Sequence, residues 1–107
     1  MDPSQTSLEE FIGHSFAQVK LLEQALTHGS YANEQGLGRL SSNQRLEFLG
    51  DAVLELTISA ELYTRFPQAQ EGDLTRMRAR LVNEISLAHV ARQIQLDQAI
   101  LLGRGEE

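Results

Sequence analysis

The chain has 107 residues, of which 41% are hydrophobic, and a net charge of −6 at pH 7, which describes one modest globular domain with a limited core. It contains no cysteine, which excludes disulfides and thiolate metal sites, and a cytoplasmic location is expected because no secretory pattern opens the chain. The acidic balance argues against binding nucleic acid by bulk electrostatics, so such binding would need a local basic patch, a metal ion or another domain.

Apolar periodicity predicts an all-α fold without convincing strands. A short first helix is predicted around residues 8–12 and capped by Thr6 or Ser7. A second helix is predicted over residues 16–28, followed by a loop over residues 33–42 that contains two glycines. No apolar run reaches the roughly 18 residues of a membrane-spanning helix, so no membrane association is expected.

A long helix is predicted from Ser42 or Asn43, either of which could cap it, to about Arg65. Its apolar residues form one row at spacings of three and four and a second row beside it: Leu46, Leu49, Val53, Leu56, Ala60 and Tyr63, then Leu54, Ile58 and Leu62. A helix this apolar is expected in the middle of the fold. Pro67 should stop it, because the residue before a proline avoids helical geometry.

After Gly72 the apolar spacing predicts further helix with a break near Asn83, and residues 96–105 are expected to be irregular. His28 is interpreted as a structural histidine at a helix end, where its charge or its hydrogen bonds stabilise the terminus.

Three carboxylates on the long helix, Glu47, Asp51 and Glu55, follow the spacing i, i+4, i+8 and share one face. Like charges at this spacing destabilise a helix by about 0.2–0.5 kcal/mol per pair, so a cation should compensate them. Mg²⁺ fits, because it takes carboxylate oxygens as ligands. From the spacing alone, a solvated acidic stripe or pairing with an arginine such as Arg45 is the commoner explanation, and the choice stays open.

The residues of the long helix resemble the signature of the ribonuclease III family. The signature matches residues 43–54, NQRLEFLGDAVL, without a gap. The flanking residues 25–31, 63–67 and 71–79 are similar to neighbouring family blocks, so that the resemblance runs from about Leu8 to Gly105. It implies the all-α fold of a ribonuclease III endonuclease domain, with the signature on a long central helix.

The resemblance also implies an activity: an endoribonuclease that hydrolyses phosphodiesters of double-stranded RNA, leaving 5′-phosphate and 3′-hydroxyl ends, as in the processing of rRNA and other precursors. The implied cofactor is Mg²⁺, with Mn²⁺ as a substitute, and no small-molecule cofactor is expected. Glu47 matches a family metal ligand, Asp51 matches the signature aspartate of the active site and is expected to hold metal as well, and Glu71 matches an acidic residue of the catalytic valley. In this chemistry a metal ion makes water easier to ionise and offsets charge in the transition state.

A homodimer is also implied, with one cutting site for each strand of the duplex. Gly50 lies in the middle of the long helix, where glycine costs about 1 kcal/mol relative to alanine. It suggests close approach by another helix and makes this helix the candidate dimer interface, although a tolerated glycine is the alternative.

Two departures from the family pattern matter. Gln44 stands where the signature usually has glutamate, and an amide keeps an acceptor oxygen but loses the charge. The family also completes its site with an aspartate and a glutamate on a later helix. Residues 1–107 are therefore expected to be the N-terminal portion of the domain, without that helix or the double-stranded-RNA-binding domain, and nearly inactive alone. Glu106 and Glu107 are not expected to substitute for the missing acids.

RNA contacts are expected from Gln44 and from the local basic cluster Arg76, Arg78 and Arg80, of which Arg76 and Arg80 share a face. Salt bridges to acids such as Asp73 or Glu84 would explain the cluster equally well. The alternative function is a non-catalytic dimeric module of the same fold that binds RNA or a ribonucleoprotein, which Gln44 and the missing acids favour.

Overall fold

The computed structural model describes residues 2–106, apart from the side chains of Arg39 and Glu106. The regular elements of this part are all helical, as the sequence predicts. The α-helices are α1 Pro3–Ile12, α2 Val19–Ala25, α3 Gly29–Glu34, α4 Gln44–Arg65, α5 Glu71–Leu81, α6 Glu84–Gln93 and α7 Leu96–Ala99, and 3-10 turns occupy Arg39–Ser41 and Arg104–Glu106. None of the helices in these residues is long and apolar enough to cross a membrane.

Helix α1 begins earlier than its apolar residues suggest. The Asp2 carboxylate accepts a hydrogen bond from the Ser4 amide at 2.7 Å, and Pro3 occupies the first helical position. The expected caps Thr6 and Ser7 are therefore wrong, because an Asp-Pro pair is itself a strong helix start. Hydrogen bonds from the Ser4 hydroxyl and amide hold the pKa of Asp2 below its usual value.

Helix α3 lies across the predicted boundary between the second helix and the loop. His28 caps it, since its Nδ1 accepts a hydrogen bond from the Ser30 amide at 3.1 Å. The structural role expected for His28 is thus confirmed, at the start of α3 rather than at the end of α2. The α3 helix itself was not predicted, because its six residues are too few to show an apolar period.

The buried core lies between α1, α2 and α7. Its members are the buried residues Leu8, Leu22, Leu26 and Ala99, with the partly buried Phe16, Ile94 and Leu96 packed against them. The predicted irregular stretch 96–105 thus contributes one helical turn, α7, to this core. The core is small, and α4 contributes nothing to it.

Helix α4 has the predicted extent, and the chain leaves it at Phe66, before Pro67. Its expected central position is wrong for residues 2–106, because Leu62 is its one buried residue and α5 is the helix that packs along it. The described chain is elongated, 51 × 25 × 22 Å, with a radius of gyration of 16.1 Å, against about 13 Å for a compact chain of this length.

A set of large apolar side chains on α4 is consequently solvent-exposed, and we call this set the uncovered face. Its members are Phe48, Leu49, Val53, Leu56 and Tyr63, with exposed fractions from 55% to 83%. Exposed apolar surface of this extent on a soluble protein usually marks an interaction site. The apolar rows therefore predict correctly that α4 needs partners, but those partners are not among the described residues.

The C-terminal segment is held against α3 and the residues before it. Thr27 and Leu101 form an isolated parallel bridge, and the Gly103 amide donates to Ser30 Oγ at 2.9 Å. Gly103 is buried, and a Cβ built on it would lie 2.9 Å from the Ser30 carbonyl oxygen. The backbone therefore approaches more closely here than any side chain allows.

Gly103→Ala is expected to destabilise the protein by about 1–3 kcal/mol, as overpacking does, and to lower the melting temperature by at least about 4 °C. Gly105→Ala is the matched control, because nothing lies within 4 Å of a Cβ at Gly105. Thermal unfolding followed by circular dichroism measures both. Equal melting temperatures for the two variants would contradict the close approach at Gly103.

Candidate active site

The site is built on the first turns of α4, whose start is anchored to the backbone before α3. The Asn43 amide donates to the Thr27 carbonyl at 2.8 Å, and the Glu47 amide donates to the Asn43 carbonyl at 2.7 Å. The Gln24 side-chain amide donates to the Leu40 carbonyl at 3.1 Å and to the Ser42 carbonyl at 3.3 Å. Through Asn43, the turn that carries Glu47 is therefore tied to Thr27, whereas the Gln24 bonds hold the loop that precedes Asn43.

Glu47 and Asp51 lie one helical turn apart, separated by about 6 Å along the α4 axis. Both side chains are exposed, and so is Glu55 one turn further along. The ion pairs found in the described residues are Arg65–Glu61, Arg76–Asp73 and Arg104–Glu34, so the carboxylates of α4's first three turns lack an arginine partner there. Arginine pairing of these carboxylates is therefore not found among the described side chains, and a solvated stripe or a cation also fits the spacing.

The donor set of the acid pair fits a hard divalent ion. Mg²⁺ is commonly held by one or two carboxylates and keeps several waters, which is what Glu47 and Asp51 can provide. Residues 2–106 bring no third histidine, cysteine, aspartate or glutamate close enough to complete a protein-only site. The pair can therefore supply part of the coordination sphere of an ion. Water, a phosphate oxygen or other ligands would take the remaining positions.

Glu71 lies apart from this pair. It is the exposed first residue of α5 and lines an open cavity of about 240 Å³ together with Ser59 and Tyr63. Ser59 follows Asp51 by eight residues on α4, which is about 12 Å along the helix axis. The structure thus places Glu71 next to α4 but does not bring it beside the acid pair.

Gln44 is the exposed first residue of α4 and faces the start of α3. A Cβ built on Gly29 would lie 3.3 Å from the Gln44 Nε2 atom, so the absence of a side chain at Gly29 leaves room for this amide. Gln44 also precedes Glu47 by three residues and therefore lies on the same side of the helix. Its position is compatible with a contact to a ligand of the acid pair.

The arginines of α5 have separate environments. Arg76 is paired with Asp73 at 2.6 Å, and Arg78 donates to Ser59 Oγ on α4 at 2.9 Å. Within residues 2–106 the Arg80 side chain makes no hydrogen bond or ion pair, and it lines an apolar groove with Met77. The salt-bridge interpretation is therefore confirmed for Arg76, while Arg78 points toward α4, away from the face expected for the other two.

Gly50 has open space around it. No heavy atom of the described chain lies within 4 Å of a Cβ built there, so the close helix approach expected at Gly50 does not occur within residues 2–106. Gly50 is exposed and follows Leu49 of the uncovered face in the sequence. Whatever approaches Gly50 must come from outside this part of the chain.

Sequence reasoning missed the tertiary role of Asn43. Either Ser42 or Asn43 was expected to cap α4. The Ser42 hydroxyl accepts a hydrogen bond from the Gln44 amide at 3.4 Å, whereas the Asn43 side chain makes no capping hydrogen bond. Its Nδ2 instead donates to the Ala25 carbonyl at 3.0 Å. Asparagine is the usual residue at a helix start, so the sequence carries no sign that this side chain turns toward another element.

Comparison with known proteins gives consistent results. The family model described as Ribonuclease-III-like matches residues 18–107. Ribonuclease 3 of Oleidesulfovibrio alaskensis is 61% identical over 100 residues, which are 94% of this chain and 43% of that protein. Ribonuclease 3 of Enterococcus faecalis is 57% identical over 102 residues, or 95% of this chain and 44% of that protein. The chain thus spans less than half the length of these curated relatives.

Solved structures agree with the sequence relatives. The nuclease domain of Ribonuclease III from Campylobacter jejuni matches with a TM-score of 0.82 and 41% identity, over 94% of this chain and 66% of that domain. A second structure of the same domain, at 2.2 Å resolution, matches with a TM-score of 0.81 and 40% identity over 94% of this chain. Together with the family model, these matches establish that the chain belongs to the ribonuclease III family.

Proposed function

We propose that residues 1–107 are the N-terminal portion of the endonuclease domain of an enzyme that cuts double-stranded RNA with Mg²⁺, for which Mn²⁺ substitutes. The observation that carries this proposal is the exposed pair Glu47 and Asp51, one turn apart on the helix that matches the family signature. The relatives named Ribonuclease 3 support it, because their identity to this chain reaches 61% over 100 residues. The proposed site of action is the cytoplasm.

The carboxylates of Glu47 and Asp51 are proposed to hold the ion through their oxygens and to leave positions open for water and a phosphate oxygen. When bound, the ion supplies easier ionisation of water and neutralises charge that develops on the phosphate. The helix holds the backbone positions of the two residues one turn apart, so both carboxylates can reach the same ion. Gln44, on the same side of the first turn, is proposed to contact RNA.

Glu71 is proposed to have a catalytic role that does not require it to bind the same ion. Its place beside Ser59 and Tyr63, about 12 Å along α4 from Asp51, supports a role separate from that of the acid pair. Arg76, Arg78 and Arg80 follow on the same helix and are proposed to contact phosphates. Among them Arg80 is the most available, because the others already have partners.

A homodimer is proposed as the working assembly. The uncovered face of α4, with Phe48 83% exposed and Leu56 71% exposed, supplies apolar surface that a second copy can bury around a two-fold axis. One of the similar Campylobacter jejuni structures concerns flexibility in a region involved in dimer formation of the nuclease domain. A dimer presents two acid pairs to one duplex, one for each strand.

A non-catalytic RNA-binding module is the second candidate, and Gln44 is the observation that favours it. Loss of a negative charge beside the acid pair weakens its attraction for a cation. The two candidates differ in one measurement, Mg²⁺-dependent cutting of a long RNA duplex by the full-length protein. Retention of the duplex without cutting would establish the second candidate.

Asp51→Asn is expected to abolish cleavage, because the amide keeps the shape but not the charge that binds the ion. In the full-length protein with Mg²⁺, we expect the single-turnover rate to fall by at least about 1000-fold, or about 4 kcal/mol of lost transition-state stabilisation. Glu55→Gln is the matched control: Glu55 is exposed on the same side one turn later and should keep the rate. If the Asp51 variant cut as fast as the wild type, the active site would lie elsewhere.

Removal of divalent ions with EDTA is expected to stop cleavage, and Mg²⁺ or Mn²⁺ should restore it. Binding of Mn²⁺ to the full-length protein, measured by electron paramagnetic resonance without RNA, should weaken by at least about 10-fold in Glu47→Gln, since changes to residues that merely support metal ligands already cost this much. Glu61→Gln, on the C-terminal half of α4 and paired with Arg65, is the control. Equal Mn²⁺ affinity in both variants would remove the acid pair as the metal site.

Arg80→Gln is expected to weaken binding of duplex RNA regardless of its sequence and to reduce the salt dependence of the affinity by about one unit of slope. The measurement is a salt titration in the Asp51→Asn background, where cleavage does not interfere. Arg92→Gln is the control, since Arg92 is exposed in the last turn of α6. An unchanged slope for the Arg80 variant would exclude a phosphate contact there.

A further inference from the structure

The residues Leu26 to His28, which join α2 to α3, form hydrogen bonds with backbone on both of their sides. On one side the Thr27 carbonyl accepts a hydrogen bond from Asn43 at 2.8 Å, immediately before α4. On the other side Leu101 donates to the Leu26 carbonyl at 2.7 Å and accepts from the His28 amide at 3.0 Å. We call Leu26 to His28 the shared segment, because it bonds both the start of α4 and the backbone at Leu101.

Asn43 is the residue through which α4 joins this segment. Its backbone amide bonds Thr27, its side-chain Nδ2 bonds the Ala25 carbonyl at 3.0 Å, and its carbonyl accepts from the Glu47 amide at 2.7 Å. One half-buried residue therefore connects the end of α2, the shared segment and the turn that carries Glu47. The side chain is used for this connection instead of for capping the helix.

The opposite side of the shared segment is equally constrained. Gly103 is buried and bonded to Ser30 Oγ, and the Arg104 amide donates to Glu34 Oε2 at 2.8 Å. Both sides are bonded to the same segment, so the place of the acid pair relative to residues 101–104 depends on the bonds of Asn43.

We propose that Asn43 is a positioning residue, which sets the first turn of α4, and with it Glu47 and Asp51, at a fixed place relative to the segment around Leu101 to Gly103. This inference rests on the proposed function, because it concerns the placement of the acids that hold the ion. Asn43 acts through the backbone and touches neither the ion nor the RNA. Its loss is therefore expected to lower the rate of the chemical step and to leave the affinity for RNA unchanged.

The test uses Asn43→Asp in the full-length protein. Aspartate has the same shape and caps a helix as well as asparagine does, but it cannot donate to the Ala25 carbonyl. We expect kcat to fall by roughly 10–100-fold, as for changes to groups that orient metal ligands, with KM within about twofold of the wild type. Asn43→Ser, another capping residue without the amide donor, should behave in the same way and replaces the aspartate variant if that does not fold.

A readout without metal or RNA accompanies the kinetics. Hydrogen exchange of the backbone amide at position 43, relative to amides of α6, should quicken by about fivefold in both variants, because the bond to Thr27 opens more often. Gln24→Ala is the matched control. It removes two hydrogen bonds to the loop before α4 but leaves the three bonds of Asn43 in place, so kcat and exchange at position 43 should stay at wild-type values.

An unchanged kcat in the Asn43 variants, or an equal fall in the Gln24 variant, would overturn the positioning role in favour of a general effect on stability. A rise in KM with kcat preserved would also overturn it, because Asn43 would then act on RNA binding. If the wild-type protein cuts no RNA, the proposed function fails. The exchange measurement then tests only whether the Asn43 side chain holds the start of α4 at Thr27. Faster exchange at position 43 in the variants supports this role, and unchanged exchange overturns it.

Discussion

Backbone hydrogen bonds on the two sides of Leu26 to His28 are the constraint on which the other features of this molecule depend. They fix where α4 begins, through Asn43, and where the C-terminal segment lies, through Leu101. The core between α1, α2 and α7 buries few residues and does not include α4. The direction of the long helix, and therefore the place of its carboxylates, is set by these few polar contacts and by the packing of α5, more than by that core.

Local features of the sequence predict the elements whose causes are local. The start and end of α4 follow from a long apolar period and from Pro67, and the break near Asn83 marks the cap of α6, where the Asn83 side chain accepts from the Ser86 amide at 2.9 Å. Helix α3 is not predicted from the sequence, because its six residues are too few to show an apolar period. The contact between Gly103 and Ser30 spans 73 positions, and no local pattern encodes a contact at that separation.

The same distinction holds within the candidate site. The i, i+4 spacing is enough to place Glu47 beside Asp51, since helix geometry alone decides it. The relation of Glu71 to that pair depends on how α5 crosses α4, which the sequence does not state. The central position expected for α4 fails for a related reason: apolar periodicity measures how much surface needs burial, whereas Phe48 shows that it does not say which chain provides the burial.

Under the proposed function, the attraction of RNA to this acidic chain and the chemistry on the RNA must come from different groups. The acid pair on α4 repels phosphate until a cation neutralises it, so under the proposed function the ion and the RNA bind cooperatively, each raising the affinity for the other by the same factor. Arg76 is engaged by Asp73, so Arg78 and Arg80 are the arginines of α5 whose charge has no acidic partner among the described side chains. Under the proposed function, the bound ion and a second copy add to the attraction of these two arginines, and α4 contributes the placement of the carboxylates.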